Sequence, residues 1–121
     1  MQQYFREAVE EQLATFQQEL FQIRSSVEVS LTTIQLYILK SAHSSSLIES
    51  ILEWTPPTSW AYQKQLNLMI QLNAAKQCLS EYRKKLRQLH TNNTPENIQL
   101  VEQALEQVIK SMQEINKLLQ E

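Results

Sequence analysis

Glycine is missing from the 121 residues altogether. Average usage would give about eight glycines in a chain of this length. Every phosphate-binding loop that needs glycine, including the P-loop and the dinucleotide fingerprint, is therefore excluded. The usual residue for tight hairpin turns and left-handed helix caps is missing too. Since there are only three prolines as well, we expect few and long elements, for which helices are the best candidates.

Cysteine and long apolar runs are also scarce. Cys78 is the only cysteine, which excludes an internal disulfide and is typical of a reducing compartment. No apolar run approaches the length of about 18 residues that a membrane-spanning helix needs. The residues from Met1 to Glu7 resemble neither a signal peptide nor a transit peptide. We therefore expect a cytoplasmic protein without a membrane segment.

The composition that remains is ordinary for a globular protein. The apolar fraction is 42%, the charged fraction is 20%, and the net charge is −2. The length predicts one domain that spans residues 1–121. A slightly negative net charge gives no whole-molecule support to nucleic-acid binding.

The first part of the chain carries one long apolar stripe. Its residues recur at steps of three and four and predict a single helix from residue 3 to about 42, roughly 60 Å long. The two successive steps of four after Ile23 interrupt the heptad pattern and predict a locally relaxed supercoil. The stripe consists of Phe5, Val9, Leu13, Phe16, Leu20, Ile23, Val27, Leu31, Ile34 and Ile38.

Serines and prolines predict a short second helix. Ser45 or Ser46 can cap a helix over Leu47 to Trp54. The adjacent Pro56 and Pro57 then stop it, because proline disfavours helix both at its own position and at the one before.

Two more long helices follow. Thr58 or Ser59 can cap a third helix that ends near Leu89, and Thr94 followed by Pro95 starts the fourth. The predicted apolar stripe of the third helix is Tyr62, Leu66, Met69, Leu72, Ala75, Leu79, Tyr82, Leu86 and Leu89. The fourth keeps strict steps of three and four at Ile98, Val101, Leu105, Val108, Met112, Ile115 and Leu119.

These elements predict an all-α fold, an antiparallel up-down-up bundle of three long helices plus one short capping helix. The short link before Thr94 makes the last two helices antiparallel neighbours. Charge gives a further expectation. Acidic residues near the start of the first helix would meet basic residues near the end of the third: Glu7, Glu10 and Glu11 with Arg83, Lys84, Lys85 and Arg87.

The densest charge in the chain is this basic cluster, Arg83, Lys84, Lys85, Arg87 and His90. Lysine and arginine supply the sequence-independent part of nucleic-acid affinity. The cluster could therefore serve an accessory subunit that contacts nucleic acid. It can also be a solvated helix end that complements the helix dipole.

Within the cluster, Arg83 and His90 have an Arg-x6-His spacing. It resembles the motif of the helical nuclease family called HEPN, over eight residues of one helix. The resemblance implies RNA cleavage in a cleft between paired subunits. Lys84 stands where that family commonly has a polar residue, often Asn.

The sequence offers no metal or catalytic constellation. His43, Cys78 and His90 lie on different elements and do not form His-x3-His, Cys-x2-Cys or Glu-x2-His pairs. Carboxylate pairs at helical spacing exist, but nothing in the sequence predicts the burial that would shift their pKa values. We therefore expect a protein that is not an enzyme, with no metal, cofactor or small-molecule substrate.

Some apolar residues do not belong to the predicted core stripes. Val29 and Leu36 fall nearly opposite the first stripe, and Phe21 and Leu39 fall on its flank. Either the short helix folds back over Leu36 and Leu39, or a second copy or another protein covers them.

The leading prediction is a protein–protein interaction module that forms a homodimer or docks a partner through the first helix. Its predicted interface is Phe21, Val29, Leu36, Leu39, Trp54 and Trp60. Membrane association is not expected, because no helix pairs a broad apolar face with a basic one.

Overall fold

A computed structural model describes residues 1–120 and contains four α-helices within them. They are α1 (Gln2–Arg24), α2 (Leu31–Glu53), α3 (Tyr62–Thr91) and α4 (Pro95–Leu119). The described residues form no strand, and the helices pack against one another. The predicted all-α helical bundle is confirmed. None of these helices is long and apolar enough to cross a membrane.

The four helices form a ring in which each packs against two neighbours. The contacts are α1 with α4, α4 with α3, α3 with α2, and α2 with α1, and the last of these is the smallest. Side-chain contacts show that neighbours run antiparallel. Gln2 at the start of α1 donates to the carbonyl of Leu119 at the end of α4. Arg24 at the end of α1 contacts Glu102 near the start of α4.

The predicted helix from residue 3 to 42 is wrong, because the chain leaves helical geometry between α1 and α2. The hydroxyl of Ser25 donates to the carbonyl of Phe21, a local bond that competes with continued helix. Ser30 then starts α2, since its side chain accepts a hydrogen bond from the backbone N–H of Thr33. Val27, which the stripe assigned to the core, is 92% exposed.

The predicted short helix over Leu47 to Trp54 is not separate, because its residues form the last turns of α2 and the residue after them. The serines before it do not break the helix. Ser41 and Ser44 are buried, and the hydroxyl of Ser41 donates to the backbone carbonyl of Ile38 one turn earlier. The prolines at 56 and 57 do follow the end of the helix, as predicted.

The break also decides which ends meet. Phe5 of α1 packs edge-to-face on Trp54 at the end of α2, whereas Asn93 at the other end donates to the carbonyl of Val29. Helices α1 and α3 therefore run parallel across the core, where Tyr82 reaches Glu19. The predicted meeting of acidic residues 7–11 with basic residues 83–87 is wrong, because these clusters lie at opposite ends.

The core stripe of α4 is confirmed, since all seven predicted residues are buried. The stripe of α3 begins differently. Leu68 is buried where Met69 was predicted, and Tyr62 is 78% exposed. The reason is register, because Leu68 precedes the buried Leu72 by one full turn and lies on the same face.

Candidate functional site

Three of the six predicted interface residues are packed within this chain. Val29 and Trp60 are buried, and Trp54 is half-buried between Phe5 and Trp60. These side chains cover the chain's own core, so their assignment to a partner interface is corrected. The explanation in which the short helix folds back over Leu36 and Leu39 is wrong, because both residues stay exposed and Trp54 packs on Phe5 of α1. Coverage of Leu36 and Leu39 by a second copy or another protein stays a prediction.

The other three predicted interface residues are exposed and lie on two different helices. Leu36 and Leu39 lie one turn apart on α2, while Phe21 lies on α1. The contact between α1 and α2 runs through Gln22 and Tyr37, on a different side of α1 from Phe21. The structure thus leaves a small apolar face on α2 and a separate aromatic side chain on α1.

A larger apolar surface lies on α3, which the sequence analysis assigned in part to the core. Ile70 is 53% exposed, Met69 is exposed beside it, and Tyr62 is exposed about two turns earlier on the helix. A shallow groove of about 420 Å³ begins at Leu66 and ends at Gln77. We call this surface the α3 face, and it consists of Tyr62, Leu66, Met69, Ile70, Asn73, Ala74 and Gln77.

The α3 face continues into the surface between α3 and α4. A second groove of about 410 Å³ shares Ala74 and Gln77 with the first and extends to Ala104 and Gln107 of α4. The half-buried Cys78 also lines it, and the carboxylate side chain of Glu81 lies at the end away from the α3 face. The two grooves form one continuous and largely apolar surface.

The α3 face carries no charge. Residues 65–75 contain no charged side chain, and the lysines on either side are directed to the chain itself. The ammonium of Lys64 lies 3.9 Å from the ring centre of Trp60. The ammonium of Lys76 lies 2.6 Å from a carboxylate oxygen of Glu49 on α2. Any surface that packs on this face must itself be nearly uncharged where it contacts it.

Some members of the predicted basic cluster bind other groups of this chain, and others are exposed. The guanidinium of Arg83 donates to the carbonyl of Ser41 and the hydroxyl of Ser45, at 3.1 and 2.7 Å. Burial lowers the pKa of Arg83, with a further lowering from nearby Arg87. Lys85 lies 3.4 Å from Glu81. This side of the cluster holds α3 to α2 and to itself.

The remaining members of the cluster face outward in part. Lys84 and Arg87 are exposed and line a groove of about 510 Å³ at the α3–α4 end, together with Asn97. His90 is half-buried, two turns after Arg83 on the same helix. The Arg83–His90 pair is therefore not free as a pair, because α2 already binds the guanidinium.

The three soft metal ligands remain apart. Within residues 1–120 there is no group of three or more His, Cys, Asp or Glu side chains that could hold a metal ion. The sulfur of Cys78 lies 3.5 Å from the hydroxyl of Ser111 on α4, where it helps to pack α3 against α4.

The most unusual titratable group is Glu19, which the sequence analysis did not single out. Its side chain is buried with 2% exposure, and one carboxylate oxygen accepts a hydrogen bond of 2.8 Å from the Tyr82 hydroxyl. The other oxygen has no hydrogen-bond partner. Burial raises the pKa of Glu19 to about 7, although the Tyr82 bond and the charge of Lys40 lower it. A sequence signal existed: Glu19 follows Phe16 by three residues and precedes Ile23 by four, so all three share one face.

The chain matches no protein-family model, no curated protein and no solved structure.

Proposed function

We propose that this chain is a protein–protein interaction module that self-associates as a two-fold dimer through the α3 face. The observation that carries the proposal is the exposed apolar side chains of Tyr62, Met69 and Ile70, which lie together on one uncharged helix surface. Contiguous exposed apolar patches on small proteins usually mark interaction sites.

A second copy is the partner whose surface matches best. In a two-fold interface the same patch meets itself, so any charge near the axis would meet an equal charge. The α3 face avoids this repulsion, because Lys64 and Lys76 are turned toward Trp60 and Glu49. Two antiparallel α3 helices would place Ile70 close to the two-fold axis and bury its apolar side chain against the second copy.

The proposal places the interface on α3 rather than on the first helix. Leu36 and Leu39, two of the exposed apolar residues of α2, form the smaller rival surface. Contact with nucleic acid has less support, because only Lys84 and Arg87 of the basic cluster are both exposed and without a carboxylate contact among the ion pairs of the described residues. We propose a cytoplasmic adaptor or accessory subunit, which agrees with the single reduced cysteine.

Light scattering coupled to size-exclusion chromatography tests the proposal. The wild-type chain should elute with twice its monomer mass of 14.2 kDa at high concentration. Ile70→Glu should convert it to monomer, because the dimer would bury one carboxylate from each chain close to the axis. The variant should keep its helical circular dichroism, since Ile70 is half-exposed in the isolated chain.

Leu39→Glu provides the matched control. Leu39 is 58% exposed on α2, close to the 53% of Ile70, so the two substitutions place the same charge at equally accessible positions. Leu39→Glu should leave the dimer intact. A dimer that survives Ile70→Glu and dissociates with Leu39→Glu would move the interface to α2. A wild-type monomer at every concentration would reject self-association.

A further inference from the structure

The contact between α1 and α2 contains polar side chains at three positions along the helices. The hydroxyl of Ser44 donates to the side-chain carbonyl of Gln12, and the hydroxyl of Tyr37 donates to that of Gln22. Glu19 lies between these two bonds on α1. We call this contact the polar seam, and it consists of Gln12, Glu19 and Gln22 of α1 with Tyr37, Lys40 and Ser44 of α2.

The seam is also the weakest side of the ring. The α1–α2 contact is the smallest of the four. On the other side of α1, Arg24 binds Glu102 and Glu106 of α4 at 2.7 and 2.6 Å. On the other side of α2, Arg83 and Lys76 of α3 bind side chains of α2. If one side of the bundle opens locally, it should be the seam.

Glu19 is the one buried carboxyl in this contact. Around it stand Tyr37 and Lys40 from α2 and Tyr82 from α3, and these are the groups with which its charge interacts. No α4 side chain is among the groups that shift the pKa of Glu19. The carboxyl thus has one hydrogen-bond donor for two oxygens, in a place that water does not reach.

We propose that the polar seam is a proton-controlled latch, closed when Glu19 is protonated and loosened when Glu19 is ionised. A neutral carboxyl can stay buried with the single bond from Tyr82. An ionised carboxylate needs more donors than this, because a buried charge without partners strongly destabilises the closed state. Separation of α1 from α2 admits water to the carboxylate and breaks the fewest other contacts.

The pKa of about 7 supports this latch, because it lets the carboxyl change its charge near neutral pH. The opened state exposes Glu19 to water and returns its pKa toward 4.5. By linkage, the opening equilibrium should rise roughly tenfold between about pH 6 and about pH 8. Other ionisations have to be separated from this effect by substitution.

Backbone hydrogen exchange, resolved by residue, tests the latch. In the wild type the amides around Gln22 and Tyr37 should lose protection roughly tenfold between the two pH values, after correction for the intrinsic rate. The protection of α3 and α4 near Cys78 and Ser111 should change much less. Glu19→Gln removes the charge at nearly constant shape and should abolish the loss. Glu11→Gln, an exposed acid on the same helix, should not.

Two results would overturn the latch. One is equal pH dependence of seam protection in the wild type and in Glu19→Gln. The other is a loss of protection that is the same in all four helices, which would indicate global unfolding. If Glu19→Gln does not fold, the wild type alone decides. The side-chain carboxyl carbon resonance of Glu19 must then titrate near pH 7 together with the loss of seam protection, and titration near its ordinary pKa would reject the proposal.

Discussion

At the scale of the residue, the chain places one acid where acids are rare. Buried carboxyls normally have partners for both oxygens, and Glu19 has a partner for one. The same buried cluster raises the pKa values of Tyr37 and Tyr82, mainly by burial and then by the nearby charge of Glu19. Burial therefore favours the neutral forms of Glu19, Tyr37 and Tyr82.

The first prediction concerns stability against pH. The pKa of Glu19 is raised in the folded chain from 4.5 to about 7, so the unfolded chain loses its proton first as pH rises. Stability should therefore fall between pH 4.5 and 7, by roughly 3 kcal/mol from this group, and stay level above that range. Urea unfolding at about pH 5 and about pH 8 measures the difference. Glu19→Gln should remove most of it, and a wild type with equal stability at both pH values would contradict the assignment.

At the scale of the element, local signals predicted some helix boundaries and missed others. Thr94 and Pro95 start α4 as the sequence indicated, and the side chain of Thr94 accepts from the N–H of Asn97. Ser30 was missed because the apolar stripe continues through Val27 and Leu31 with helical spacing on both sides. The spacing alone does not show that Val27 is exposed. Only the packing of α2 back against α1 decides it, which is a tertiary effect that overrides periodicity.

Two adjacent apolar residues gave a similar ambiguity in α3. Leu68 and Met69 both continue a helical stripe, and the predicted core contains Met69. The structure buries Leu68 and leaves Met69 on the surface. Because the predicted stripe placed Tyr62 and Leu66 in the core together with Met69, the α3 face was not predicted from the sequence. The predicted core of the later part of α3, from Leu72 onward, is correct.

The helix start at Ser30 predicts the direction in which an alanine substitution changes the stability of the protein. Ser30→Ala removes the hydrogen bond to the N–H of Thr33 and should destabilise the protein by about 1 kcal/mol. Were residues 25–30 helical, the same change would stabilise it, because alanine is the better residue inside a helix. Thr94→Ala is the positive control, since it removes the equivalent cap of α4. Chemical denaturation of the three proteins measures both sign and size.

At the scale of the whole molecule, the break between α1 and α2 turns the predicted up-down-up order of long helices into up-down-up-down. The helix count in the C-terminal half and the antiparallel pairing of α3 with α4 were predictable from the short link and the Thr94 cap. The arrangement of the ends was not, because it depends on the number of reversals before α3. One missed reversal exchanged the neighbours of Glu7 and Glu10 and removed their predicted contact with the basic cluster.

The reversal can be tested by distance within the whole molecule. Thr15 of α1 and His43 of α2 line the same cleft of about 220 Å³, so cysteines at both positions should be joined efficiently by a short bismaleimide. In one continuous helix their separation of 28 positions would span about 42 Å, beyond the reach of that reagent. The experiment uses Thr15→Cys with His43→Cys in a Cys78→Ser background, so that no other thiol reacts.

The control pair is Thr15→Cys with His90→Cys on the diagonally opposed α3, and it should remain unlinked within the chain. Cross-linking should therefore be intramolecular, fast and independent of protein concentration for the first pair alone. Failure of that pair, with both thiols shown to react singly, would mean that α1 and α2 do not fold against each other.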